Sequence, residues 1–352
     1  MSYELTIEPI GEVVEVEEGQ TILDACLRSG IYIPYQCNHG LCSTCKVEVL
    51  EGDTDLGEAS PFALLDFERE EGMVLACTCT LQSDAVIEAD IEEDEDAQYL
   101  AIEDYQGTVT EITDLTPLVK RIIISVPKEV CFQAGQYIQL DIPGVDGPRA
   151  FSIANPPECA NHVELHVRYV EQGKGTTYLH QQLKEGDELS FSAPYGHFFV
   201  RKSKNKPMIF IAGGTGLSSP KSMITELLND GYSKQITLFH GVCAQQDLYD
   251  QDYFTDLEKK HKNFSYIPAL SEKQDCDEWL GEEGFIHEAA ERYFSGSFAG
   301  HQAYLCGPPP MIEASIKALM KGRLFEKDIY CEKFLSKADG EDGKRSPLFK
   351  RI

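Results

Sequence analysis

Cys37-Asn38-His39-Gly40-Leu41-Cys42-Ser43-Thr44-Cys45 places three cysteines in nine residues, and Cys77 and Cys79 follow further along the chain. Two irons can be held by four soft thiolates when a tight loop gathers three of them and backbone amides point at the sulfurs. Four residues between the first pair and two between the second, with a distant fourth cysteine, is one ligand spacing of a 2Fe-2S cluster. Gly40, Ser43 and Thr44 keep the loop slim, and Asn38 tolerates left-handed backbone. Zinc sites also use thiolates, usually as two C-x-x-C pairs, but only Cys42 and Cys45 form such a pair here. A Rieske centre needs two Cys-His units, so His39 reads as a surface loop residue. Spacing alone leaves Cys77 and Cys79 both available as the fourth ligand.

Around this loop the pattern is that of a small α+β unit. Val13 to Val16 alternates like a strand, and Thr21 caps a helix from Ile22 to Arg28 that Gly30 ends. A strand follows at Lys46 to Leu50, and Ser60-Pro61 predicts a helix running to Glu71. Glu92-Glu93-Asp94-Glu95-Asp96 then predicts a self-repelling, extended linker that closes the domain at residue 97. The chain has 352 residues and a net charge of −28. Residues 1 to 98 hold 24 acidic and 3 basic side chains, so most of the excess is there. Nucleic acid is thereby disfavoured as a partner, and an acidic first domain would be steered to a basic surface on another protein. No apolar run reaches the roughly 18 to 20 residues that span a bilayer, and the first residues lack a basic-then-apolar leader. With cysteines crowded for metal ligation rather than spread as a disulfide framework, the sequence predicts a cytoplasmic protein with no membrane association.

From residue 98 to 204 short alternating strands punctuated by Gly and Pro predict an antiparallel β-barrel, with strands at 121–126, 136–142, 150–154, 163–170 and 188–192. From 205 to 352 β-loop-α units predict an α/β doubly wound parallel sheet, with strands at 207–212, 235–240, 264–269 and 302–306 and a helix from Pro220 to Asn229. Candidate binding residues fall in both blocks. In Arg149-Ala150-Phe151-Ser152 an arginine can clamp a pyrophosphate, a ring can pack on a flavin, and a hydroxyl can hydrogen-bond it. The bland alternative is an ordinary strand edge. Gly173-Lys174-Gly175-Thr176 opens a helix whose free amides suit phosphate. Gly213-Gly214-Thr215-Gly216 follows an apolar strand and precedes a helix, which lets a dinucleotide approach the backbone. The stretch Gly241 to Tyr249 has no arginine for a 2′-phosphate, which favours NADH over NADPH. Asp247 there either faces ribose or caps the next helix.

Together these motifs resemble the ferredoxin-NADP reductase superfamily, joined to an N-terminal plant-type ferredoxin domain. The matching segments are the cysteine loop, Arg149 to Ser152, Gly213 to Pro220, Cys306-Gly307-Pro308-Pro309-Pro310-Met311 and Glu332-Lys333-Phe334. The resemblance implies a multidomain chain: a β-grasp 2Fe-2S ferredoxin domain (1–97), an FAD-binding β-barrel (98–204) and an NAD-binding domain (205–352). It favours Cys77 over Cys79, because related domains place the ligand directly after an apolar run such as Val74-Leu75-Ala76. The cluster ligands are then Cys37, Cys42, Cys45 and Cys77. His166-Val167-Arg168 occupies the strand that lines the flavin, with His166 contributing mainly backbone if its ring is otherwise satisfied. Cys306 would lie beside the nicotinamide as a positioning group, Gly307 and Pro308 would shape that site, and Glu332 would support Ser152 and Cys306. Phe334 would cover the flavin or simply pack, since eighteen residues follow it.

Within the superfamily the chain is similar to the reductases of bacterial multicomponent phenol hydroxylases, to which the tail Leu348 to Ile352 also corresponds. That similarity implies an NADH-dependent enzyme passing electrons through FAD and a 2Fe-2S cluster to the hydroxylase component of an aromatic monooxygenase, a dinuclear-iron protein. A reductase for a Rieske-type dioxygenase and a cluster-only redox module are the competing readings. The latter leaves the Arg149 and Cys306 motifs without a purpose.

Overall fold

The computed structural model describes residues 1–36, 38, 40–91, 94–273 and 279–334, which fall into two compact units, Met1–Glu103 and Asp104–Phe334. Cys37, His39, Glu92, Glu93 and the tail after Phe334 lie outside the described residues.

In the first unit a five-stranded sheet runs in the order Glu12–Glu17, Ser2–Glu8, Ala85–Glu88, Lys46–Glu51, Met73–Leu75. Ser2–Glu8 pairs in parallel with Ala85–Glu88, and its pairing with Glu12–Glu17 is antiparallel. The helix Ile22–Arg28 buries Ile22, Leu23, Ala25, Cys26 and Leu27. It starts where expected, with the Thr21 hydroxyl accepting the Asp24 N–H at 3.3 Å.

Two expectations fail in this unit. The helix predicted from Ser60 to Glu71 forms only at Asp66–Glu70. Ser60 instead closes a turn, its carbonyl accepting the N–H groups of Ala63 and Leu64, and both of those side chains are fully buried. Anchoring this turn in the core sends Leu65 extended, and Glu68 then caps the short helix by accepting the Leu65 N–H at 2.8 Å. The acidic run is also not extended over its described part. Asp94 accepts the N–H of Asp96 on its side chain (3.0 Å) and of Ala97 on its carbonyl (3.0 Å), an Asx-type turn that outweighs self-repulsion. The chain then continues against this unit, with Ile102 buried and bonded to the Leu27 carbonyl.

The second unit contains two sheets. One is antiparallel, in the order Arg149–Ser152, Tyr137–Leu140, Glu188–Tyr195, Glu103–Thr116, Val119–Ser125, His162–Arg168. A bridge between Ile153 and Leu165 joins its two edges, which closes the barrel and removes exposed sheet edges. Its longest strand, Glu103–Thr116, was not expected from the sequence. Acids and threonines separate its buried positions, and the register shifts twice against Val119–Ser125, so no uniform apolar alternation marks it.

The other sheet is parallel, in the order Glu282–Glu283, Phe264–Leu270, Ile236–Val242, Met208–Gly213, Gln302–Gly307, Ile329–Lys333. Strand order reverses between Met208–Gly213 and Gln302–Gly307, and the crevice at the carboxyl ends of such a pair is where ligands bind in open α/β sheets. Gly213, Gly307 and Glu332 all lie at those ends.

Gly135 sits where barrel and parallel sheet are pressed together. Its φ is +103°, and a Cβ there would stand 2.1 Å from the Phe198 carbonyl oxygen and 2.2 Å from Met223 Cε. Gly135→Ala should therefore destabilise this unit by at least about 2 kcal/mol. A thermal melt showing an unchanged midpoint would contradict this packing.

Candidate functional site

In the cluster loop three residues take left-handed backbone, Asn38 (φ 57°), Gly40 (φ 72°) and Ser43 (φ 67°), which curls the segment tightly. Gly40 has no room for a side chain, since a Cβ would meet the Glu58 carbonyl oxygen at 2.9 Å. Cys45 and Cys77 are buried, and Cys42 is half-buried. A hydrogen bond with Cys77 holds the Cys45 thiol below its ordinary value despite burial, while the nearby Cys42 opposes this. Three thiols thus converge, as a thiolate-ligated cluster needs. Cys79 faces elsewhere: burial pushes it up to about 11, and its sulfur lies 3.9 Å from the Thr80 carbonyl. Cys37 lies outside the described residues.

The second site occupies the crevice of the other unit. Ser152 ends a barrel strand, while Cys306 and Glu332 come from adjacent strands of the parallel sheet. Glu332 Oε2 accepts from Ser152 Oγ at 3.3 Å and from Ser219 Oγ at 3.1 Å, with Cys306 Sγ at 3.7 Å. Burial of the carboxyl pushes its pKa up to about 7, against the three donors that lower it. Cys306 is fully buried, and burial next to Glu332 raises its thiol well above the ordinary range. It is a neutral thiol, unsuited to nucleophilic attack.

Arg149 and the helix Lys174–Gln181 meet on the barrel. A Cβ at Gly175 would lie 3.8 Å from Arg149 Cγ and 3.0 Å from Ile142, so a side chain would fill the space between them. Gly173, which starts this helix, has no side chain to cap its first amides. The Thr176 hydroxyl ties the preceding turn, accepting the Val170 N–H at 3.1 Å. Arg149 meanwhile donates to the carbonyls of Asp146, Gly147 and Pro148 at 2.9–3.1 Å. The Arg149 stem thus lies against the first turn of the helix, and a guanidinium together with helix N-terminal amides is a donor set that suits a pyrophosphate. Phe151 is half-buried one position before Ser152.

The Gly213 turn and the Cys306 segment interlock through backbone. A Cβ at Gly216 would lie 2.2 Å from the Cys306 carbonyl oxygen, and one at Gly213 would lie 2.6 Å from Met311 Sδ. Gly214 is left-handed at φ +55°, with Arg168 Nη1 3.8 Å from its would-be Cβ. Thr215 accepts the Ser218 hydroxyl on its carbonyl. Phe334 follows the edge strand Ile329–Lys333, donates its N–H to the Gly307 carbonyl and is 37% exposed.

Family models for a 2Fe-2S iron-sulfur cluster binding domain (residues 5–82), an oxidoreductase FAD-binding domain (106–200) and an oxidoreductase NAD-binding domain (210–317) match in this order. The chain is 55% identical to the phenol 2-monooxygenase reductase component DmpP of Pseudomonas sp. (strain CF600), and 56% identical to the phenol hydroxylase P5 protein of Acinetobacter pittii (strain PHEA-2). Both alignments cover all of both chains. The chain belongs to the reductase components of multicomponent oxygenases. A solved relative is the cytochrome P450 reductase GcoB of Amycolatopsis, 33% identical with a TM-score of 0.87, covering 94% of this chain and 98% of that one. The family's FAD, NAD and 2Fe-2S domains make this reductase an NADH-dependent oxidoreductase. Among the described residues no helix is long and apolar enough to cross a membrane.

Several sequence-marked residues of the reductase have a packing explanation as well. A Cβ at Gly241 would stand 2.8 Å from Ile286 Cβ, so close helix packing excludes a side chain there. Asp247 caps its own turn, accepting the Ala244 N–H at 3.1 Å. His166 is satisfied by Glu164 (2.8 Å) and Tyr249 (3.2 Å), and Val167 is fully buried. The sequence reading missed Ser219, which joins Glu332 and Cys306, although it lies inside the glycine-turn motif that was recognised.

Glu332 gives a pH signature. Between the ordinary carboxyl value of 4.5 and about 7 the folded chain holds a proton that the unfolded chain has released. Its contribution to stability is therefore full below this window and lost as pH rises through it. Glu332→Gln, neutral throughout, should gain thermal stability relative to the native chain between pH 5 and pH 8. An equal difference at both pH values would refute the raised carboxyl.

Proposed function

We propose that this reductase serves the dinuclear-iron hydroxylase of a phenol monooxygenase, drawing electron pairs from NADH and delivering them singly through its cluster. The observation that carries this is 55–56% identity over the full chain to two phenol hydroxylase reductases. Relatives named for other oxygenases stand lower, at 35% for an aromatic O-demethylase reductase subunit and 32% for an anthranilate 1,2-dioxygenase electron transfer component. The absence of arginine from 241–249 supports NADH as donor. The partner is an oxygenase with a basic docking face, in keeping with the acidic first domain. A cytoplasmic setting fits cysteines crowded for metal ligation rather than spread as a disulfide framework.

The domains in this reading are 1–97, 98–204 and 205–352. Cys37, Cys42, Cys45 and Cys77 would hold the cluster. Arg149, Gly173, Gly175 and Thr176 would cradle the FAD pyrophosphate, while Phe151, Ser152 and the strand His166-Val167-Arg168 would line the ring, with Phe334 at the mouth of the site. Gly213, Gly214, Thr215 and Gly216 would receive NADH, with Gly241, Asp247, Gly307 and Pro308 around it. FAD bound there supplies a carrier that accepts two electrons together and releases them one at a time. The chain's own groups do the rest. Cys306 is held by Ser219 and Glu332 as a neutral, polarizable surface against which a nicotinamide can be ordered. Glu332, titrating near neutrality, can take up or release a proton at Oε2 through the Ser152 hydroxyl 3.3 Å away.

The test separates the two halves of the route. Cys42→Ser should leave flavin bleaching by NADH at the native rate and lower NADH-driven cytochrome c reduction by at least about tenfold. Undiminished cytochrome c reduction would reject the cluster as the exit.

A further inference from the structure

Beneath the glycine turn lies a buried chain of polar side chains that the proposed electron route does not use. Lys221, on the helix that follows the turn, is 7% exposed, and its ammonium is 2.8 Å from Glu164 on the barrel and 2.8 Å from Asp250 on the parallel-sheet side. Glu164, His166 and Asp250 are grouped closely enough to suggest a metal site. The Lys221 ammonium already bonds both carboxylates, so the cluster carries its own cation. Glu164 is held well below the ordinary carboxyl range by His166 and Lys221 despite its burial, and the Lys221 ammonium is stabilised by its two carboxylates. A buried charge triad of this kind depends on all its members, since removing one leaves the others uncompensated.

From Glu164 the chain of contacts leads back to the turn. His166 Nε2 lies 2.8 Å from Glu164, and its Nδ1 lies 3.2 Å from the Tyr249 hydroxyl. That hydroxyl is also 3.4 Å from the Gly214 carbonyl oxygen. Burial lowers the His166 pKa against the pull of Glu164 and so favours the neutral ring. Its one ring proton then belongs on Nε2, facing Glu164, and the single phenolic proton of Tyr249 is shared between Nδ1 and the Gly214 carbonyl. The rings of His166 and His240 both meet Tyr249 edge-on, at 5.1 and 5.6 Å, so its phenol has little freedom to turn.

We propose that Lys221, Glu164, Asp250, His166 and Tyr249 form a positioning device for hydride delivery. Lys221 locks the barrel strand to the dinucleotide half, and Tyr249 carries that constraint to the Gly214 carbonyl. The turn is thereby held in register with the strand that carries His166. None of these groups touches a reacting atom; they act by fixing the distance over which NADH must reach. The inference rests on the reading that the Gly213 turn receives NADH.

Tyr249→Phe removes the shared proton and keeps the ring. In anaerobic stopped-flow mixing with NADH, this variant should bleach its flavin about three- to tenfold more slowly at saturating NADH, the effect of one lost hydrogen bond on placement. The long-wavelength charge-transfer absorbance of stacked nicotinamide and flavin should weaken in parallel. Electron transfer from the dithionite-reduced variant to cytochrome c should match the native rate, which a general loss of structure would not leave intact. Should Tyr249→Phe fail to fold, Glu164→Gln, which keeps its acceptor oxygen but drops its charge, is expected to show the same two losses. If the native protein bleaches and the folded variant matches it in rate and charge-transfer band, the positioning role is overturned. If the native protein itself is not bleached by NADH, the functional reading falls and this inference with it.

Discussion

The unit that follows the first domain depends on one carboxylate shared by two sheets. Glu332 projects from the last described strand of the parallel sheet and accepts hydrogen bonds from Ser152 of the barrel and Ser219 at the start of the helix after the glycine turn. A carboxyl in so enclosed a place would cost several kcal/mol without partners. These donors, with the Cys306 thiol at 3.7 Å, make the position tolerable and fix three chemically useful groups around a single oxygen. Because the donors come from different parts of the fold, the site exists only when barrel and sheet are docked.

That docking is held at other points. Ser222 donates to the Asn155 carbonyl at 2.7 Å, and Asn155 in turn accepts the Glu164 N–H at 2.8 Å. Lys221, one residue before Ser222, adds its pair of carboxylates. Arg201 lies between the rings of Phe199 and Tyr330, at 3.8 and 4.3 Å, with its backbone N–H given to the Tyr304 hydroxyl. Polar bonding of this density between two sheets gives orientation more than it gives net stability, and orientation is what transfer between two bound cofactors requires.

Much of this was legible in the sequence wherever backbone shape, rather than side-chain partnership, carries the chemistry. The glycine turn at Gly213 and the segment from Cys306 to Met311 could be recognised because each fills a space in which a Cβ would collide, and such constraints leave a local signature. The cysteine spacing is legible because ligation of a cluster by one tight loop fixes which positions must be thiols. Partnerships across long sequence separations were not. Ser219, Glu164 and Asp250 read as ordinary polar residues, and only the folded chain brings them to Glu332 or Lys221. Local patterns also misled where tertiary burial overrode them: Ala63 and Leu64 entered the core and cut short a helix, and the polar strand Glu103–Thr116 was hidden by its own acids and threonines.

The central claim is that one chain splits electron pairs from NADH and passes them to its own cluster. The most direct measurement is an anaerobic NADH titration followed by visible absorbance and low-temperature electron paramagnetic resonance. Flavin bleaching should be accompanied by the signal of a reduced 2Fe-2S cluster, with full reduction at about 1.5 NADH per chain, for two flavin electrons and one cluster electron. Flavin that bleaches at one NADH per chain while the cluster stays oxidised would contradict the account.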